Sequence, residues 1–123
     1  MANPRHLLGL AAEEAVAAWL TSAGWRIVAA RHRSAFGGEV DLVAIDPVGT
    51  MVAIEVRARR TARAGEAVAT VDRRRVARLG RTLAALAATR SEPHNGLRID
   101  LVTAEPEPGM TNRWRLRRRE GIG

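Results

Sequence analysis

Glu39-Val40-Asp41-Leu42-Val43-Ala44-Ile45 and Met51-Val52-Ala53-Ile54-Glu55-Val56-Arg57 flank the loop Asp46-Pro47-Val48-Gly49-Thr50. Two β-rich runs around five turn-forming residues read as a β-hairpin. Side chains alternate along a strand, so Val40, Leu42 and Ala44 are expected on one face with Val52, Ile54 and Val56. The other face then carries Glu39, Asp41 and Val43 beside Ala53, Glu55 and Arg57. A symmetric five-residue loop sets Asp41 opposite Glu55 and Glu39 opposite Arg57. Two facing carboxylates repel. A raised pKa or a bound cation would offset that repulsion, and Mg²⁺ takes one or two carboxylates plus substrate phosphate. A wet, charged hairpin face with a Glu39–Arg57 pair is the competing reading.

Upstream, Asn3-Pro4 opens a helix, and Leu8, Ala12, Ala15, Val16, Trp19 and Ala23 recur at helical spacing as its buried stripe. Gly24 is the expected stop. Glu13 borders the stripe and Glu14 faces water, so Glu13 is placed to reach the end of the sheet. A surface Glu is the plainer alternative. Trp25 to Arg33 reads as a strand and Gly37-Gly38 as a break. Downstream, Arg59 to Ala69 reads as a basic loop. Thr70 or Asp72 caps a second helix that runs to about Ala88 on the stripe Val76, Leu79, Leu83 and Leu86. Leu97 to Thr103 is a strand. Glu105 to Gly109 is a rigid linker or turn, Trp114 to Leu116 an edge strand, and Arg117-Arg118-Arg119 a fraying basic tail. The expected architecture is α/β: a mixed sheet of four to five strands flanked by two helices. Residues 1–123 form one domain, with 105–123 its edge strand and basic tail.

Composition bounds the rest. The chain has 123 residues, 20 basic against 13 acidic, and a formal charge of +7. It has no Cys, which removes disulfides, thiolate zinc sites and Cys nucleophiles. No apolar run approaches the ~18 residues of a membrane span, and Glu13 and Glu14 interrupt the N-terminal apolar stretch. A soluble cytoplasmic protein with no membrane partner is expected. Every basic residue is Arg. A general Arg and Ala bias explains this, and so does the fit of the guanidinium fork to phosphate. Arg57, Arg59, Arg74, Arg75, Arg78 and Arg81 belong to one basic stretch. Arg74, Arg78 and Arg81 project away from the apolar stripe, and Arg75 sits nearer the sheet. Arg113, Arg115, Arg117, Arg118 and Arg119 form a second cluster. Such charge suits a polyanion, with Arg59, Arg74, Arg75, Arg78 and Arg81 as phosphate contacts. A merely solvated surface is the alternative. His6, His32 and His94 have no ligand-like spacing.

An ordered set of residues carries a resemblance. It comprises Gly9 with Glu13; Gly38-Glu39-Val40-Asp41; Ile54-Glu55-Val56-Arg57; Val71-Asp72 with Arg75; and Arg98-Ile99-Asp100. Together they resemble the YraN-type family of small bacterial proteins, within the PD-(D/E)XK endonuclease-like superfamily. The resemblance implies a restriction-endonuclease-like core in which Asp41, Glu55 and Glu13 hold one or two Mg²⁺ ions, Mn²⁺ substituting. A Lys two residues after the Glu helps to activate water in that superfamily. Here that position is Arg57, and Ala12 and Arg75 depart in the same way from an expected Gly and Lys. The implied catalytic set is Glu13, Asp41, Glu55 and Arg57. The implied partner is nucleic acid, DNA before RNA. The function expected is a Mg²⁺-dependent nuclease-fold protein acting on DNA phosphodiesters. The alternatives are a weak or inactive nucleic-acid-binding module and a small protein scaffold.

Overall fold

A computed structural model describes residues 3–33, 38–59, 71–109 and 113–123. The elements are α1 (Pro4–Ser22), β1 (Arg26–Arg33), β2 (Glu39–Ile45), β3 (Met51–Ala58), α2 (Arg73–Thr89), β4 (Leu97–Pro106) and β5 (Trp114–Arg119). The strands form one sheet in the order β1-β2-β3-β4-β5, so each strand neighbours its predecessor in the chain. All neighbours are antiparallel except β3 and β4, which α2 joins as a parallel crossover. The α/β class, the five-strand mixed sheet and the two helices agree with the expected architecture. The basic loop expected over Arg59 to Ala69 and the alternative cap Thr70 lie outside the described residues, except for Arg59.

The helices cover opposite faces of the sheet. Val16 and Leu20 of α1 pack with Trp25, Leu42, Ala44, Val52, Ile54 and Val102. Leu79, Leu83 and Leu86 of α2 pack with Val40, Val43, Ile45, Met51, Ala53 and Ile99. The hairpin is therefore apolar on both faces over most of its length. The expected polar face is confined to one end, because Val43 and Ala53 sit beneath α2. Helix α1 ends in a Schellman motif: the Trp25 N–H donates to Leu20 O and the Gly24 N–H to Thr21 O, with Gly24 at φ +91°. Its buried stripe is Ala12, Val16 and Leu20. Trp19, expected inside, is 38% exposed, and Ala23 is exposed too. Asp72 caps α2, its side chain accepting from the Arg75 N–H at 2.8 Å.

Two expectations at the C-terminal end are corrected. Glu105 and Pro106 continue β4 rather than forming a turn, and Arg117-Arg118-Arg119 belong to β5 rather than fraying. Asp100 supplies the reason. Its carboxylate is fully buried and takes bonds from Arg98, Arg118 and the Gly121 N–H at 2.8–3.0 Å. Arg98 also reaches Asp46 Oδ2 at 3.1 Å, tying the hairpin loop to β4. Arg118 lies over the Trp25 ring, 5.2 Å from its centroid. The Ile122 N–H donates to Ile99 O, which seats the last residues against the sheet.

Candidate functional site

The hairpin register follows the symmetric loop: Leu42 pairs with Ile54, Val43 with Ala53, Ala44 with Val52 and Ile45 with Met51. The β2–β3 ladder ends at Leu42 and Ile54, one step before Asp41 and Glu55. There the Asp41 side chain replaces a ladder bond, its Oδ2 accepting from the Val56 N–H at 2.8 Å. Strict alternation also fails at this level. Val40 joins Val43 and Ile45 on the α2 side rather than Leu42 on the α1 side. On β1 the matching residue is Arg31, between the pairs Ala30–Leu42 and His32–Val40, and its φ is +53°. That left-handed conformation is uncommon for a residue with a side chain, and it marks local strain at the same level as Asp41.

The opening brings the predicted acids together. Glu55 is 2% exposed. Both its oxygens face Arg75, Nη2 reaching Oε1 at 3.0 Å and Nε donating to Oε2, and Arg57 Nη2 lies 3.6 Å from Oε2. Asp41 lies between Glu55 and Glu13 and shares hydrogen bonds with both. Burial pushes the Asp41 carboxyl up, and the hydrogen bond and charge of Glu55 raise it further, to about 8. Burial works on Glu55 in the same direction, but the Arg75 guanidinium and the Asp41 hydrogen bond outweigh it and hold Glu55 below the usual carboxylate range. Near neutral pH the pair thus carries one proton, on Asp41. Burial also raises Glu13, against the pull of Arg31 at 3.8 Å. A cavity of about 280 Å³ opens between α1 and β1–β2, lined by Glu13, Arg31 and Asp41 with Leu10, Ala17 and Leu42.

The proton on Asp41 gives a stability test. Asp41 titrates near 4 when unfolded and about 8 when folded, so the folded state binds the extra proton between these values. Its contribution is complete in acid and is lost as pH rises towards 8. Without added metal, the denaturation midpoint of wild type should fall between pH 5 and about pH 8. Asp41→Asn, which mimics the protonated acid, should flatten that fall. Equal slopes for the two proteins would show that Asp41 does not hold the proton.

Several predicted partnerships differ from what is found. Glu39 pairs with Arg31 and Arg33, not with Arg57. The strands separate before Glu39 and Arg57 can face each other, and Arg57 turns to Glu55. Arg75 lies toward the sheet as its helical position predicts, and there it pairs with Glu55, a partner not expected from the sequence. Gly38 lets α2 approach so closely: a Cβ there would stand 3.0 Å from Arg78 Cγ and Thr82 Oγ1. Arg31 carried no signal in the sequence, because a left-handed residue inside a strand has no compositional mark. Arg74, Arg78 and Arg81 are exposed, as their helical positions predict.

Among the described residues, no group of three or more His, Asp or Glu is arranged to hold a metal ion. Asp41 and Glu55 nonetheless form a close pair of hard oxygen donors, which suits a magnesium-like ion completed by phosphate and water. Arg57 Nε, buried and without a hydrogen-bond partner among the described residues, is a spare donor beside them. No helix among the described residues is long and apolar enough to cross a membrane.

The family model described as "Uncharacterised protein family UPF0102" matches residues 12–104. A UPF0102 protein of Symbiobacterium thermophilum is 44% identical over 114 residues, 89% of this chain and 91% of the relative. One from Deinococcus radiodurans is 48% identical over 73 residues, 59% of this chain and 58% of the relative. One from Burkholderia pseudomallei is 39% identical over 105 residues, 85% of this chain and 71% of the relative.

Proposed function

Since this chain belongs to the uncharacterised protein family UPF0102, we propose a function from the site itself: a divalent-cation-dependent, restriction-endonuclease-like protein that binds and slowly hydrolyses phosphodiesters of nucleic acid, DNA before RNA. One observation carries the proposal. A half-buried Asp41 and a buried Glu55 are held together where the hairpin opens, with guanidinium groups around them. A wet hairpin face does not account for a Glu that is 2% exposed beside an Asp.

Asp41 and Glu55 would hold Mg²⁺ or Mn²⁺, with Glu13 in an outer position; such an ion polarises a phosphoryl oxygen and lowers the pKa of bound water. The protein's own groups do the rest. Arg75 keeps Glu55 ionised and fixes its plane. Arg57, whose Nη2 lies 3.6 Å from Glu55, neutralises charge at a phosphate oxygen held beside that acid. It stays protonated at any working pH, so it is no general base, which is why slow hydrolysis is proposed. Arg59, Arg74, Arg78 and Arg81 supply electrostatic contacts to the backbone. A second reading, a binding module without cleavage, draws support from Arg75, whose guanidinium already faces both Glu55 oxygens.

Calorimetric titration with Mn²⁺ tests the shared site. Wild type should bind, and Glu55→Ala should weaken binding by about tenfold or more, with circular dichroism confirming that the variant is folded. Identical titrations would remove the site. A cleavage panel of linear, flapped and branched DNA with Mn²⁺, run beside Asp41→Ala, separates the readings. Cation binding without cleavage selects the binding module.

A further inference from the structure

We infer that the outer edge of the sheet is a track for single-stranded nucleic acid, formed by Arg113 and the β5 residues Arg115, Arg117 and Arg119. The inference rests on the proposed function and names the form of substrate that this site would take. Along β5, Trp114 and Leu116 are half-buried, and Arg118 turns to Asp100 and Trp25. The alternate positions Arg113, Arg115, Arg117 and Arg119 are all exposed. Among the described residues, none of these four forms an ion pair with an acid. Edge strands commonly carry charge to prevent pairing, but four cations at alternate positions of a segment, 113–119, that itself carries no acid go beyond that need.

Geometry joins this edge to the site. Arg57 pairs with Thr103, and Thr103 with Arg117, so the three form a row across neighbouring strands. Glu55 pairs with Leu101, and Leu101 with Arg119, in the row beside it. Strands lie about 4.8 Å apart, which sets Arg117 roughly 10 Å from Arg57 along the sheet. Along β5 the guanidinium-bearing positions recur about every 6.7 Å over roughly 20 Å. That is a straight ladder of the kind an extended phosphate chain can follow, whereas a duplex backbone curves away from a straight edge. Two acids stand opposite the row: Glu105 pairs with Arg115, and the Glu107 N–H donates to Arg113 O, so Arg117 and Arg119 are the positions that face no acid. Among the described residues this face offers no exposed aromatic ring for base stacking, so contact falls on phosphate and is indifferent to sequence.

The test compares wild type with Arg115→Ser/Arg117→Ser/Arg119→Ser, using a fluorescent oligothymidylate, the same strand in duplex form and Mn²⁺ alone. A slope of log affinity against log salt shallower by about 2 on the single strand is expected, from roughly 0.7 per contact. Mn²⁺ titration and thermal unfolding should stay as in wild type. Arg26→Ser/Arg90→Ser, at exposed positions outside the proposed contacts, is the control for bulk charge and should change the single-strand slope less. An unchanged slope in the β5 variant overturns the track and leaves the Mn²⁺ site standing. So does a loss seen only on the duplex, or binding of phosphatidylserine vesicles in place of the oligonucleotide. Failure of the cation site would appear separately, as wild type that binds no Mn²⁺.

Discussion

Asp100→Ala is expected to lower the unfolding free energy by about 3–5 kcal/mol, the range for breaking a buried ion pair from one side. The Asp100 carboxylate is fully buried and accepts four hydrogen bonds from Arg98, Arg118 and the Gly121 N–H. Removing it strands two guanidinium groups that are 21% and 30% exposed. Arg98 keeps Asp46 at 3.1 Å, and Glu120 stands near both, which favours the lower end of the range. Equilibrium urea denaturation checks this, with the midpoint falling while the slope is held. A loss under about 1 kcal/mol would place the cluster with ordinary surface ion pairs. Asp100→Asn, which keeps an acceptor, should lose less.

Arg75→Ala should be the second most damaging change. Glu55 would remain buried, with Arg57 at 3.6 Å the one cation left among the described residues to offset any charge it keeps, and burial would push its carboxyl up. Because the Arg75 side chain is 32% exposed, solvent screening reduces the usual 3–5 kcal/mol to about 2–3 kcal/mol. Adding Glu55→Gln to Arg75→Ala should recover part of the loss, since the stranded acid is then gone. Saturating Mn²⁺ should also stabilise Arg75→Ala more than wild type, because a cation bound only by the folded state adds stability by mass action. Thermal unfolding with and without Mn²⁺ measures both effects. If Arg74→Ala, one residue away and exposed, costs as much as Arg75→Ala, the Glu55 pairing is not the cause.

Local chemistry made much of this fold legible. The five-residue loop and flanking β-branched residues implied the register that Leu42–Ile54 and Ile45–Met51 show. Gly24 and Asp72 marked helix ends by residue type alone. Period-based reading failed where burial came from a distant element. Val43 and Ala53 belonged to a supposedly polar face, yet α2 covers them. Trp19 followed the helical period but lies beyond the reach of the sheet. The Asp41 and Glu55 pairing was legible from facing positions. A raised pKa on one acid was among the expected resolutions; Arg75 on the other was not, because only the packed crossover brings Arg75 to β3. Arg117 to Arg119 read as a tail because their anchors, Asp100 and Trp25, are far away in sequence.

The chain order of the sheet has a kinetic meaning. Glu13, Asp41 and Glu55 all come from the first half of the chain, on elements joined by local connections. Arg75 arrives only when the crossover between Ala58 and Leu97 closes to form the parallel β3–β4 pair. Local hairpins close early, and a parallel pair bearing a long connection closes late. During folding the acids therefore meet before their chief cation does. With β1–β3 paired and Arg75 not yet in place, Arg31 and Arg57 alone would offset the carboxylates, so closing the crossover completes their neutralisation.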